Sequence, residues 1–499
     1  MSKCSMEEKM KPKRIALAAP ALILVLVWLV GCGSPPNVPD KPRGAHTGLK
    51  GSPYACTTQT TDPNGGQVAY QFDWGDNSQS AWSQMMDGDI PYADTHVWTE
   101  TGLFDVKARA KNSKKASDWS EPLSVTINPG EGQVRWSFAF TDPEDPEDSA
   151  DFSLNTFGLD IGGDAAYIGC EYGAVIAHKL DRTLRWKFLN QEGDEFTTAP
   201  TIGDDGTVYI GCANDTLYAI NPSGTRKWAV DLGDEAFATA ALASNGKIYI
   251  QTEADSLLAI NPDGSRLWSY LTGGGSSSPV IGPDGTVYAA SQDGMLYALD
   301  PENGTQKWVY PLGSSEIIAS PAINTNLNVI YITDDDGQFA SVNLNDGSEN
   351  WTASVGETPS SPVIGTGSTI YIGGGGTLLA FNPNGDLKWT WTPLFQGTVS
   401  SPAVSSAGII YVLVTTGKKD FEEPDSLYAV NSDGTRRWAC AIGEGYYDDI
   451  MSSPKLDDNG NIYIGSGLAA WCIRGLGGPA QSSWPMFQAD ARNTGRAGN

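Results

Sequence analysis

Histidine is almost absent from this chain: His46, His96 and His178 are the only three in 499 residues. None stands at metal-ligand spacing from another His or a Cys, so a His/Cys metal centre has no sequence support. The strand-to-helix serine turn of hydrolases is missing, and the glycine run Gly373–Gly376 lacks the Lys-Ser/Thr of a phosphate loop. No two cysteines are adjacent. Basic residues are scarce too: 32 Lys and Arg face 59 Asp and Glu, a formal net charge of −27. Such a surface disfavours nucleic acid and anionic lipid headgroups as partners. Only one long apolar run exists, Ile15–Val30, and it is short for a membrane span.

What the chain does have is a repeat. Trp136, Trp186, Trp228, Trp268, Trp308, Trp351, Trp389 and Trp438 recur at intervals of 38 to 50 residues, each in a similar phrase. A period near 40 residues marks a repeat architecture. One unit reads in full from Ser276 to Tyr310. Its β-rich runs Pro279–Ile281, Thr286–Ala290, Met295–Leu299 and Gln306–Tyr310 alternate with Pro-Asp-Gly and Pro-Glu-Asn-Gly turns, where Gly and Asn accept positive φ and Pro presets φ. Four short antiparallel strands make one propeller blade. Small residues followed by Pro200, Pro279, Pro321, Pro362, Pro402 or Pro454 announce the innermost strands, where crowding around the axis favours small side chains.

The two ends of the repeat give the blade count. Seven units close at Trp186 through Trp438, and an eighth begins at Ser452-Ser453-Pro454 but stops without its tryptophan strand. Val134–Phe140, carrying Trp136, is an outer strand with no unit before it. Joining the two seals the ring and removes a free sheet edge. The expected fold is therefore all-β: an eight-bladed β-propeller over residues 131–475, its last blade closed by an N-terminal strand and preceded by a small Ig-like β-sandwich. The eight tryptophans are read as blade-packing residues, since a large ring repeated once per blade buries roughly 150–250 Å² each.

The first 31 residues read as a targeting segment: Lys11, Lys13 and Arg14 precede the apolar run. Leu29-Val30-Gly31-Cys32 resembles the lipobox of bacterial lipoproteins. That resemblance implies cleavage before Cys32 and lipidation there; Gly33 rather than Asp after it favours delivery to the outer membrane. Loss of the leader, with five basic and two acidic residues, takes the net charge to −30. Residues 32–48 read as a Pro- and Gly-rich tether. The phrases Tyr70-Gln71-Phe72-Asp73-Trp74-Gly75-Asp76, His96-Val97-Trp98 and Gly102-Leu103-Phe104-Asp105-Val106 resemble the PKD type of Ig-like domain, over residues 49–128. This implies a spacer or adhesion module, with His96 belonging to the strand motif. In the tail, residues 476–499, Ser483-Trp484-Pro485-Met486-Phe487 through Thr494-Gly495 resembles the segment that accompanies PQQ-like propellers. That family includes outer-membrane assembly lipoproteins of the BamB type and quinoprotein alcohol dehydrogenases.

The enzymes of that family hold PQQ with a vicinal Cys pair and a calcium ion. The first is missing and no calcium motif carries over, so no cofactor is assigned and a PQQ- and calcium-dependent dehydrogenase is the alternative reading. No catalytic residue is assigned, and whether a metal binds is left open. Acidic residues gather instead at one mouth of the expected ring. Asp194, Glu195, Asp234, Glu235, Glu316, Glu357, Asp448 and Asp449 lie in loops from outer to inner strands, and Asp215, Glu253 and Asp334–Asp336 in second-to-third-strand loops of the same mouth. Arg226, Lys227, Arg266, Lys307, Lys388, Arg436 and Arg437 lie near turns of the opposite mouth. The expected function is a non-catalytic, lipid-anchored envelope scaffold, joined to the membrane by its lipid alone. Its acidic face binds a protein or polymer partner, cationic where they meet, and not nucleic acid. Cys170 and Cys212, at equivalent places on successive blades, should be too far apart to bridge; pairing of Cys440 with Cys472 is left open.

Overall fold

A computed structural model describes residues 34–139, 154–159, 165–170, 173–180, 183–190, 193–357, 360–415, 425–442, 452–466, 469–490 and 493–497. The chain divides into two compact units, Met1–Asn128 and Pro129–Asn499.

In the first unit, Thr47–Leu49, Leu123–Asn128, Gly102–Lys111, Gln67–Asp73 and Met86–Asp87 lie side by side in one sheet, opposed by the pair Tyr54–Thr58 and Tyr92–His96. Alternation in Val106, Ala108 and Ala110, all fully buried, sends Lys107, Arg109 and Lys111 to the other face. Phe72, Trp74, Trp98 and Val125 form the core. His96 stacks on Trp74 with ring centroids 4.9 Å apart and bonds Asp76 at 2.7 Å. It is part of the sandwich, with neither ligand nor substrate role visible around it. Where a free tether was expected, residues 37–49 run along the sandwich. The amides of Asn37, Asp40 and Arg43 donate to the carbonyls of Thr61, Gln59 and Thr57, and Thr47–Leu49 pairs in parallel with Thr126–Asn128. Backbone groups so close to an unpaired edge find partners there rather than in water.

The second unit has eight four-stranded blades, the seventh with a short extra strand, Thr398–Val399. Blade 4 is Val280–Ile281, Val287–Ala290, Met295–Leu299 and Gln306–Pro311, within a residue or so of the expected runs. Blade 8 is Lys455–Leu456, Asn461–Ser466, Ala469–Arg474 and, from the other end of the domain, Val134–Ala139. Trp136 sits opposite Cys472 in that closing ladder, and Arg135 donates to Asn461 Oδ1 at 2.6 Å. Two inner strands lack the proline phrase: Leu154–Leu159 of blade 1, and Ala241–Leu242 of blade 3, which follows Ala240.

Each outer strand repeats one local device. The tryptophan faces a small residue on the third strand: alanine in six blades, Ser341 opposite Trp351 and Cys472 opposite Trp136. A bulge follows, adding twist where the strand leaves its turn. Against each indole packs a tyrosine of the second strand, with centroids 5.6 to 5.9 Å apart, from Tyr167–Trp186 round to Tyr463–Trp136. Six indoles donate to a turn carbonyl of the next blade at 2.8–3.2 Å, Trp228 to Pro262 among them. The glycine of that same turn carries positive φ, and a Cβ there would lie 2.7–2.9 Å from the ring. Carbonyl and glycine in the repeated turn are thus one receptor for the neighbouring tryptophan.

The inner serines have a second task besides being small. The amides of Thr239, Ser278, Ser320 and Ser361 donate to the hydroxyls of Ser278, Ser320, Ser361 and Ser401 in turn, at 2.8–3.0 Å. Blades are linked around the axis by hydroxyls where strands of neighbouring blades make no ladder. Among the described residues, Cys56, Cys212, Cys440 and Cys472 form no disulfide. Among the described residues no helix is long and apolar enough to cross a membrane.

Candidate binding face at the open mouth

The two loop sets expected to share a mouth are joined by hydrogen bonds. The amides of Ala213, Glu253, Asp335 and Gly375 in second-to-third-strand loops donate to the carbonyls of Glu195, Glu235, Glu316 and Glu357 at 2.7–3.0 Å. Asp194 accepts from Asn214 Nδ2 at 3.2 Å, and Asp234 from the Ala254 amide at 2.6 Å. Glu316 and Glu357 are exposed, while Asp194, Glu195, Asp234 and Glu235 are half-buried. Cys32, Asp448 and Asp449 lie outside the described residues.

The carboxylates gather in two places. Around blades 2 and 3, burial and then the charges of Glu253, Asp215, Glu195 and Asp234 push the Glu235 carboxyl above its usual range. Near blade 5, burial raises Asp334; the Gln338 amide opposes this, and Asp335 and Asp336 add to it. The Glu357 carbonyl accepts the Gly375 amide, and the nearby Val355 amide donates to the Gly337 carbonyl at 2.9 Å. Among the described residues no three His, Cys, Asp or Glu side chains converge as a metal site. The described part of the mouth is a charged rim.

Below it the axis holds a cavity of about 190 Å³, running from Thr197 and Phe237 on the loop side to Lys455 and Phe487 at its floor. Serine and threonine hydroxyls line it, and among the described residues no carboxylate or carboxamide does. A quinone held by a carboxylate- and amide-bound calcium does not fit that donor set.

The other mouth is closed by the chain's own tail, which sequence reasoning left as a separate segment. The amides of Leu242, Ile281, Ile364 and Val404, each ending an inner strand, donate to the carbonyls of Thr494, Gly495, Trp484 and Pro485 at 2.7–2.8 Å. Trp484 and Met486 are fully buried. Lys455, 1% exposed, donates to the carbonyls of Phe487 at 2.6 Å and Asp490 at 3.3 Å, and to Asn493 Oδ1. A signal for this lay in the repeat: the residue after the inner-strand proline is Thr201, Val280, Ala322, Val363 or Ala403 elsewhere, and lysine only in blade 8. Several bases of this closed side are spent in ion pairs: Lys227 with Asp205 at 3.1 Å, Lys247 with Glu302 at 2.7 Å, Lys307 with Asp284 at 3.4 Å and Arg437 with Glu131 at 2.6 Å.

A family model described as outer membrane protein assembly factor BamB matches residues 172–372 and 317–475, together more than half of the chain. The chain belongs to this family. BamB from Moraxella catarrhalis superposes with a TM-score of 0.57 at 17% identity, covering 68% of this chain and 99% of that one. A quinohemoprotein alcohol dehydrogenase of Pseudomonas putida, ADHIIG, gives 0.54 at 12% identity, covering 70% and 77%. Both likenesses concern the fold. Protein Rv3035 of Mycobacterium tuberculosis is 24% identical over 136 residues, 26% of this chain; the match spans about a third of that curated relative, 33%. Among its described residues, this BamB-family member differs between its two faces, one filled by the tail and ion-paired, the other acidic.

Proposed function

We propose that this chain is a non-catalytic envelope scaffold, anchored by lipid at Cys32 and delivered to the outer membrane, which holds the cationic surface of a protein partner against its open mouth. The observation that carries this reading is the asymmetry of the ring. The tail fills one mouth, while the other presents Glu195, Asp215, Asp234 and Glu253 around Glu235, whose carboxyl is raised by burial and by their charges. A cationic partner relieves that repulsion on binding and is steered toward it at low salt. The family supports an assembly role, and the cavity's donor set argues against the quinoprotein alternative.

A photo-cross-linker at Phe237, 40% exposed beside the cluster, is expected to capture a partner in intact envelopes, and one at Asn245, on the plugged side, to capture none. Joint Glu→Lys replacement at 235 and 253 should abolish the Phe237 product. Equal capture at both positions sinks the reading, as does stoichiometric PQQ uptake in the presence of calcium, read by absorbance.

A further inference from the structure

Outside the propeller, the described chain begins at a place with unusual surface chemistry. The Ser34 carbonyl accepts from Asn112 Nδ2 at 2.9 Å and Asn64 Nδ2 at 3.4 Å. Asn112 Oδ1 in turn accepts the amides of Lys114 and Lys115, both at 2.9 Å, so the first described residue is tied to the tip of a basic turn. Lys114 and Lys115 are exposed, and Lys111 half-exposed. The same end of the sandwich carries exposed apolar side chains: Val38 at 49%, Met85 at 40% and Ile90 at 47%. Their neighbours fix the location. Asn37 and Asp89 donate to Thr61 and Thr60, Met86 pairs with Val68, and Gly88 packs on Thr61 and Asp62.

Only Gly33 separates Ser34 from Cys32, two chain steps with a reach of about 7 Å when extended. Acyl chains on Cys32 would therefore bring this end, and no other part of the sandwich, to the bilayer surface. From this we infer that the end formed by Val38, Met85, Ile90, Lys111, Lys114 and Lys115 is a membrane-contact surface, its apolar side chains entering the headgroup layer and its ammoniums meeting lipid phosphates. The inference rests on lipidation of Cys32.

The chemistry suits an interface. Asp62, which shares the donors Asn64 and Asn112 with the Ser34 carbonyl, has both oxygens taken by them. Asp87, Asp89 and Asp118 balance the three lysines nearby, so apolar insertion carries much of the contact and long side chains reach phosphate locally. The high net negative charge of the whole chain lies mostly in the other unit. At the far end of the same sheet, Leu103 pairs with Thr126 and is 69% exposed, which makes it an internal control.

The experiment uses full-length lipidated protein in vesicles of phosphatidylethanolamine and phosphatidylglycerol. An environment-sensitive fluorophore is placed on Ile90→Cys or Leu103→Cys, and nitroxide-headgroup lipid serves as quencher. Flotation with the vesicles first shows that the anchor is present. The expected result is a blue-shifted Ile90 probe quenched at least about threefold more than the Leu103 probe, the difference shrinking when Lys111, Lys114 and Lys115 are changed together to Glu. Protein that floats while both probes report water overturns the contact and leaves the anchor standing. Protein that fails to float overturns both.

Discussion

Gly264 leaves vacant the space that Trp228 fills. A Cβ on Gly264 would meet the indole at 2.8 Å, and φ there is +85°. Gly233 has nearly the same φ, +86°, with nothing within 4 Å. Ala at either position suffers the backbone strain of a left-handed conformation, roughly 1–2 kcal/mol. Only at Gly264 is an overpacking cost of about 1–3 kcal/mol added, because ring and turn must part. Thermal unfolding should therefore show Gly264→Ala falling well below Gly233→Ala. Equal midpoints would mean that the turn does not brace the tryptophan.

Glu235 is a liability to the fold at neutral pH. Its carboxyl is raised by burial and by four like charges, so the folded state holds its proton more tightly than the unfolded chain does. Stability from this site is greatest at acid pH and is lost as pH rises through the raised value. Glu235→Gln should raise the thermal midpoint at pH 7 by less than about 2 °C, since the site is half-exposed and salt-screened. The gain should vanish near pH 4. A destabilised variant at pH 7 would show that the carboxylate's contacts outweigh the repulsion.

Ring closure was legible because it depends on periodicity: Trp136 without a unit and Ser453-Pro454 without a tryptophan specify each other. The two-mouth arrangement followed from strand alternation, and the loops around Glu195, Glu235, Glu316 and Glu357 do share one rim. The plug was not legible. It is held in part by backbone amides such as those of Leu242 and Ile364, which every residue type offers, and in part by side chains such as Ser483 and Asn493, whose partners at the Ile323 and Pro200 carbonyls lie far off in the chain. The docking of residues 37–49 was hidden for the same reason, its bonds being between backbone groups. Clustering of Glu235 with Asp215 and Glu253 depends on the spacing of blades around the ring rather than on order in the chain.

Two short phrases in the sandwich also went unread: Ser80-Ala81-Trp82-Ser83 and Ser117-Asp118-Trp119-Ser120. Their serine hydroxyls accept the amides of Phe72, Tyr70, Ala110 and Ala108, fixing both segments along the sheet. The Arg109 guanidinium lies between the two indoles, 4.4 Å from the Trp119 centroid and 5.3 Å from that of Trp82, and bonds Gln71 Oε1 twice. Lysine offers neither a planar stacking face nor a paired donor. Arg109→Lys should cost about 1–2 kcal/mol of sandwich stability, seen as a shifted denaturant midpoint with the tryptophan fluorescence of this unit altered. An unchanged midpoint would reduce the stack to surface decoration.

Lys455 gives the plug a pH dependence. Burial lowers its pKa from the usual 10.5 to about 7, with Asp490 opposing the shift. Below about pH 7 the amine is charged in both folded and unfolded chains, and the full cost of burying that charge is present. Between there and pH 10.5 the unfolded chain binds more protons, so raising the pH stabilises the fold through this site until the cost is gone. Lys455→Met abolishes the titration and leaves the Phe487 and Asp490 carbonyls short of a donor, at about 1–3 kcal/mol. The stability of the parent relative to the variant should therefore grow from pH 7 to pH 10, while residues 479–497 of the variant become more sensitive to protease. A gap that stays constant over that range would mean that the amine keeps its ordinary proton affinity under the tail; a gap that narrows would mean that the tail favours the charged form.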